Sequence, residues 1–188
     1  MTTLRFHRRQ LAAFAWSGFS LIELLIAMSV ASVLLAFGVP GYQGMVGGYQ
    51  LSNHAQFLAG TLNQARSEAI KRSQRVNVCK TYDAKQCAAE GSWASGWILF
   101  VDTNRNGQID PGEQILHIEG PVANRITLSG NHPVEDYVSY TSMGNARMLN
   151  GALQMGTFVA CKAGQSAIKI VLANSGRARV EKTALACV

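Results

Sequence analysis

Residues 19–39 read FSLIELLIAMSVASVLLAFGV and carry a single formal charge, Glu23. No other stretch constrains the fold as strongly. A helix of this length rises about 30 Å, the thickness of one hydrocarbon core. Arg5, Arg8 and Arg9 precede it with no acidic residue among them. Such a positive flank keeps the N-terminus cytoplasmic. An ordinary secretory signal has a shorter apolar core, about 7–15 residues, and ends at a small-x-small site. The segment is therefore expected to anchor the chain as one membrane span.

Glu23 is the odd residue. A carboxylate inside an apolar span is costly and calls for a partner, unless it snorkels to the interface. The letters around it, Ser17-Gly18-Phe19-Ser20-Leu21-Ile22-Glu23-Leu24-Leu25 after a short basic leader, resemble the processing site of type IV pilins and type II secretion pseudopilins. The resemblance implies cleavage after Gly18 by a prepilin peptidase and N-methylation of the new N-terminus at Phe19. It also implies that Glu23 pairs with the terminal amine of a neighbouring subunit. A buried carboxylate and a buried ammonium each cost several kcal/mol alone, roughly, so pairing them would fix the register between subunits. The inner membrane, with the remainder of the chain as a periplasmic head, and a pilus or pseudopilus after assembly, are the expected locations.

The 188 residues suffice for one domain with an appendage. With 48% hydrophobic residues, 18 Gly and 4 Pro, the chain is neither a disordered tail nor a fibrous repeat. Seventeen basic against eleven acidic residues give a net charge of +6. The basic excess lies in 61–85 and 161–188, while 86–160 is acidic. That balance permits nucleic acid or an anionic membrane as a partner without establishing either.

Residues 38–48 hold five Gly and Pro40, a composition that weakens or kinks a helix. It resembles the Pro-containing segment of pilins that loses helical structure on assembly, and it fits a loop between anchor and head equally well. Helical period then resumes, with Leu51, Ala55, Leu58, Leu62, Ala65 and Ala69 on one stripe. Gln64, Arg66, Ser67, Lys71 and Arg75 lie on the other side. Beyond Arg75 the pattern turns β-rich, and strands are expected at 75–80, 96–102, 114–119, 125–129, 137–141, 156–161, 167–172 and 177–181. The fold class is α+β: a long N-terminal helix, half membrane-spanning and half amphipathic, packed on an antiparallel β-rich C-terminal head. Residues 1–18 form the leader, 19–48 the assembly helix with its Pro-Gly segment, and 49–188 the head. The pattern Ala65-Arg66, Glu68-Ala69, Arg72, Val76, Val78-Cys79, Trp93 and 96–102, with the ending Gly176-Arg177-Ala178-Arg179, resembles the FimT/GspH group of minor pilins and pseudopilins.

Cys79, Cys87, Cys161 and Cys187 include no C-x-x-C pair, which argues against a zinc or thioredoxin-like site. An even count in an oxidising compartment favours two disulfides. Of the three pairings, Cys79–Cys87, closing a short loop, and Cys161–Cys187, tying the C-terminal tail to a strand, are expected.

Residues 102–113 match the calcium-loop pattern D-x-[DN]-x-[DN]-G-x5-E. Asp102, Asn104 and Asn106 would supply side-chain oxygens, Gln108 a carbonyl, Asp110 the ninth position and Glu113 a bidentate carboxylate, with Gly107 at the sharp turn. Strands rather than helices are expected on either side, and Asn-Arg-Asn-Gly is also a good hairpin turn. Calcium and a metal-free turn both fit, the context favouring the turn. No other cofactor is implied. His7, His54, His117 and His132 sit in no nucleophile motif, and there is no G-x-S-x-G, Walker or G-x-G-x-x-G sequence. No enzymatic activity is expected.

Arg177 and Arg179 fall two apart after Gly176. On a strand they share a face with about 7 Å between them, close to the spacing of successive phosphates. With Lys182, and with Lys162 and Lys169 if the tail folds back, they form a candidate contact for double-stranded DNA. A solvated edge strand protected by charge is the plainer reading. The resemblance extends to FimT-type minor pilins that bind DNA during natural transformation. The expected function is that of a minor type IV pilin, a structural subunit that primes assembly at the tip and contacts DNA without sequence preference. Two alternatives stand beside it: an H-type pseudopilin of a type II secretion piston, and a membrane-anchored DNA-binding module.

Overall fold

The computed structural model describes residues 20–122 and 125–187. Helix α1 spans Leu21–Arg72. Ser20 opens it: its carbonyl accepts the Leu24 N–H and its hydroxyl the Glu23 N–H. This caps one end while Glu23 adds negative charge to the first turn. The chain divides into two compact units, residues 1–41 and 42–188. In the described part of the first, side chains 21–39 are all exposed, so this apolar stretch has no cover of its own. Among the described residues one helix, α1, is long and apolar enough to cross a membrane.

The expected break at 38–48 is absent, because α1 stays helical through it. Within the head unit the end of this segment is held from outside. The Gly44 carbonyl accepts from Gln165 Nε2 at 3.0 Å, and Gly47 and Gly48 are covered by Lys162 and Gln165. Glycine's low helix propensity, about 1 kcal/mol per residue, is opposed here by these contacts. A Cβ on Gly48 would come within 2.9 Å of Gln165 Oε1.

Eight strands follow: β1 Val76–Lys80, β2 Trp97–Val101, β3 Ile115–Glu119, β4 Ile126–Gly130, β5 Tyr137–Tyr140, β6 Gly156–Lys162, β7 Ser166–Leu172 and β8 Ala178–Ala186. They form two four-stranded sheets, β3-β2-β1-β5 and β4-β6-β7-β8, with every pair antiparallel. The predicted stripe of α1, Leu51, Ala55, Leu58, Leu62, Ala65 and Ala69, is buried in one core with residues of both sheets. Alternation decides what each sheet gives it. From β1 and β2 come Val76, Val78, Trp97, Leu99 and Val101, and from the second sheet Leu128, Phe158, Ala160, Ile168, Ile170 and Leu172.

The first sheet is covered on its other face too. Cys79, Ile98 and Phe100 form a second small cluster with Cys87, Ile109 and Tyr137. Burial on both sides explains why all ten residues of β1 and β2 are buried, Lys80 among them. Its ammonium reaches Asp136 at 2.7 Å and donates to the Gly91 carbonyl at 3.2 Å, so the buried charge is both paired and hydrogen-bonded. Disulfides join Cys79 to Cys87 and Cys161 to Cys187, each with Cα atoms 5.5 Å apart. The first closes the loop over the second cluster. The other fixes the chain just after β8 to β6, where Cys187 N–H also donates to Gln165 O.

Candidate functional site

The C-terminal strand carries the basic residues that the sequence singles out. A tight turn leads into it: Gly176 N–H donates to Ala173 O at 2.9 Å, and Ala173 N–H to Arg177 O at 3.0 Å. Gly176 sits at φ 79°, and a Cβ there would strike the Gly144 carbonyl. From α1, Asn63 grips the start of β8 with both ends of its amide. Nδ2 donates to Ala178 O and Oδ1 accepts Ala178 N–H, each at 3.2 Å. Two turns of helix and hairpin are thus locked together, and Ala178 is buried against them.

Packing therefore accounts for Gly176 and Ala178 and for neither arginine between and after them. Arg177 is exposed and makes no ion pair among the described residues. Arg179 is exposed, its Nε 2.6 Å from Glu181 Oε1. Register places Arg179 opposite Val171, and Glu181 opposite Lys169, so Lys169 shares the outer face of the sheet with Arg179. Lys182 does not. It pairs with Ile168, a core residue, and borders a groove with Met45, Tyr49 and Ser52 of α1. Lys162 is likewise on the helix side, donating to Gln50 Oε1 at 2.7 Å. The structure thus keeps Arg177, Arg179 and Lys169 near one outer face and sends Lys162 and Lys182 to the other. Strand parity already separates 182 from 177 and 179.

The 102–113 loop folds around its own carboxylates. Asp102 is fully buried and accepts from Asn77 Nδ2 (2.6 Å), Asn106 N–H (3.1 Å) and Gly107 N–H (3.0 Å). Asn104 Oδ1 accepts the Asn106 N–H and Asn106 Oδ1 the Gln108 N–H. Their amide NH2 groups both donate to Asp110 Oδ2, at 2.8 and 2.7 Å. The Asn104 amide, and then that of Asn106, hold the Asp110 carboxyl below its ordinary range. Glu113 gives one oxygen to Thr103 N–H and Oγ1 and the other to Asp110 N–H. Ile109 meanwhile packs into the second cluster. The side-chain oxygens of Asp102, Asn104, Asn106 and Glu113, and one of the two on Asp110, accept from protein donors, and among the described residues no group of three Asp, Glu, His or Cys side chains gathers. The favoured expectation, a metal-free turn, is compatible with this geometry, and Ile109 of the loop covers the outer face of the first sheet. The expected result is a melting temperature that calcium leaves within about 1 °C of the value in chelator. Saturating a real site at about a hundredfold excess over Kd would raise it by roughly 5–10 °C.

Glu23 stands exposed in the first turn of α1, with no ion pair among the described residues. Gly18 and Phe19, the expected processing site, lie outside the described residues.

An apolar helix of membrane length, opened by Ser20 and Glu23 and leading to a helix packed on antiparallel sheets, defines a structural subunit of the minor pilin and pseudopilin class. Residues 17–39 match the prokaryotic N-terminal methylation motif. Residues 54–176, well over half of the chain, match the type II transport protein GspH model, and the chain belongs to that family. The pilin-like protein PilA1 of Thermus thermophilus is 29% identical over 171 residues, spanning 87% of this chain and 97% of that protein. The crystal structure of the type IV minor pilin FimU of Pseudomonas aeruginosa aligns with a TM-score of 0.51 at 19% identity, over 74% of this chain and 96% of that one. At that identity the likeness is one of fold.

Proposed function

We propose that the chain is a minor type IV pilin, held in the inner membrane by its apolar helix until assembly, that primes the filament at its tip and contacts double-stranded DNA through Arg177 and Arg179. Prepilin peptidase would act at Gly18, and Glu23 would pair with the terminal amine of a neighbouring subunit. Support for the pilus comes from the relative named as pilin-like. One observation carries the DNA contact: in the Gly176-Arg177-Ala178-Arg179 run, packing accounts for the glycine and the alanine, while both arginines are exposed and only Arg179 has a partner, the exposed Glu181. Lys169 is the third charge of that face, and Lys182 is withdrawn from it.

The test is retardation of double-stranded DNA by the full chain in neutral detergent. Two phosphate contacts per subunit predict affinity that falls roughly tenfold between about 50 and 200 mM salt. Changing Arg177 and Arg179 together to Gln should abolish retardation, while Lys182→Gln should leave it unchanged. Absence of retardation at low salt would sink the DNA contact. The family description, a type II transport protein, favours a second reading in that event, a pseudopilin of a secretion piston.

A further inference from the structure

Where α1 ends, a cleft of about 190 Å³ opens, lined by Ser73, Gln74, Arg75, Arg105, Thr141 and Ser142. Two of its lining residues are arginines and none is acidic. Arg75 is held in place, Nη1 donating to Ser139 Oγ at 2.7 Å and to the Arg147 carbonyl at 3.5 Å. Arg105 is exposed, and its side chain makes no hydrogen bond or ion pair among the described residues. Ser73 and Arg105 also stand at φ 53° and 64°. Ser73 is the left-handed cap that ends α1, and Arg105 lies in the 102–113 turn.

Two features oppose an anion here, and both are already hydrogen-bonded elsewhere. The C-terminus of a helix carries about half a negative charge, but the Ile70 and Ala69 carbonyls already accept from Ser73 and Gln74 N–H. Asp102, whose N–H donates to the Arg75 carbonyl, is buried and committed to three donors from Asn77, Asn106 and Gly107. Arginines are the only charged residues in the lining. Thr141 Oγ1 donates to Asn145 O, leaving the Ser73 and Ser142 hydroxyls as neutral donors alongside them.

We propose that this cleft binds a phosphate group, with Arg75 and Arg105 as its charged donors. Guanidinium N–H forks match phosphate oxygens, and the volume suits one such group. Neither Arg177 nor Arg179 lines the cleft, so the inference stands apart from the DNA surface on β8.

The experiment is a chemical-shift titration of the 15N-labelled full chain in neutral detergent micelles, with inorganic phosphate against sodium chloride of equal ionic strength. Amides at 73–75, 105 and 141–142 should shift to saturation with phosphate alone. Arg105→Gly, which suits the local φ and removes the guanidinium, should weaken the midpoint about tenfold or more. The Arg177→Gln, Arg179→Gln variant should titrate like the parent, which separates this site from any failure of DNA binding. Shifts that climb without saturating, or a midpoint unchanged by Arg105→Gly, would overturn the proposal. A second arm uses a short oligonucleotide without terminal phosphates. If it saturates the same amides below the phosphate midpoint, the source is a diester on a strand; if those amides ignore it, the site takes free phosphate or a monoester.

Discussion

Trp93→Ala is expected to lower the melting temperature of the chain by roughly 10 °C, a loss of about 3–5 kcal/mol. Trp93 is fully buried in the short 3-10 turn before β2, and it touches everything that must meet there. Its indole N–H is shared between the Val134 and Glu135 carbonyls, at 3.1 and 2.8 Å, just ahead of β5 in the first sheet. Its ring stands edge-on to Phe158 of β6 in the second sheet, centroids 5.2 Å apart. The turn beneath is itself tied across, Ser92 Oγ donating to Leu128 O of β4 at 2.7 Å. Alanine would leave a large cavity between the sheets and two carbonyls short of a donor. Trp93→Phe separates these effects: it keeps most of the volume and loses the N–H, so about 1–3 kcal/mol should go. Thermal unfolding followed by circular dichroism in neutral detergent measures both. A Trp93→Ala chain that melts within about 2 °C of the parent would mean that the two sheets are not joined through this residue.

The sequence is most legible where one physical rule acts alone. The alanine-rich stripe of α1 and the eight strands are found within a residue or two of their observed ends, except that β8 continues to Ala186. There the register shifts between Ser166 and Ile168, a bulge for which the letters give no signal. The rules mislead where tertiary packing competes with propensity. Glycines at 47 and 48 read as helix breakers, yet they admit Lys162 and Gln165 against the helix. The 102–113 pattern is legible both as a calcium loop and as a turn, because the Asx oxygens that a metal would use can equally accept backbone N–H groups, as they do here. What the sequence hides altogether is convergence over long separations. Asn63 meeting Ala178, and Arg75 sharing a cleft with Arg105 and Ser142, leave no periodicity to detect.

Gly176→Ala should cost about 2–4 kcal/mol, well beyond what its backbone angle explains. Gly164 provides the comparison. The two glycines have nearly equal φ, 78° and 79°, yet a Cβ on Gly164 meets nothing within 4 Å while one on Gly176 runs into the Gly144 carbonyl and within 3.1 Å of the Tyr140 ring. Left-handed backbone alone costs alanine roughly 1–2 kcal/mol, so Gly164→Ala should lose about that and no more. The excess at 176 measures the contact between the β7–β8 turn and the 141–145 segment. That segment has little room to yield: Arg66 Nε holds the Gly144 carbonyl at 3.0 Å, and a Cβ on Gly144 itself would press on Ile70 of α1. The turn must give way, and the Asn63 grip on Ala178, one residue past Arg177, opens with it. DNA retardation by Gly176→Ala should therefore weaken, while Gly164→Ala, equally strained but far in sequence from the arginines, retains it. Equal losses of stability in the two variants would show that backbone angle, not the approach to Gly144, sets the glycine at 176. Arg177 would then be held by its own hairpin rather than by the helix.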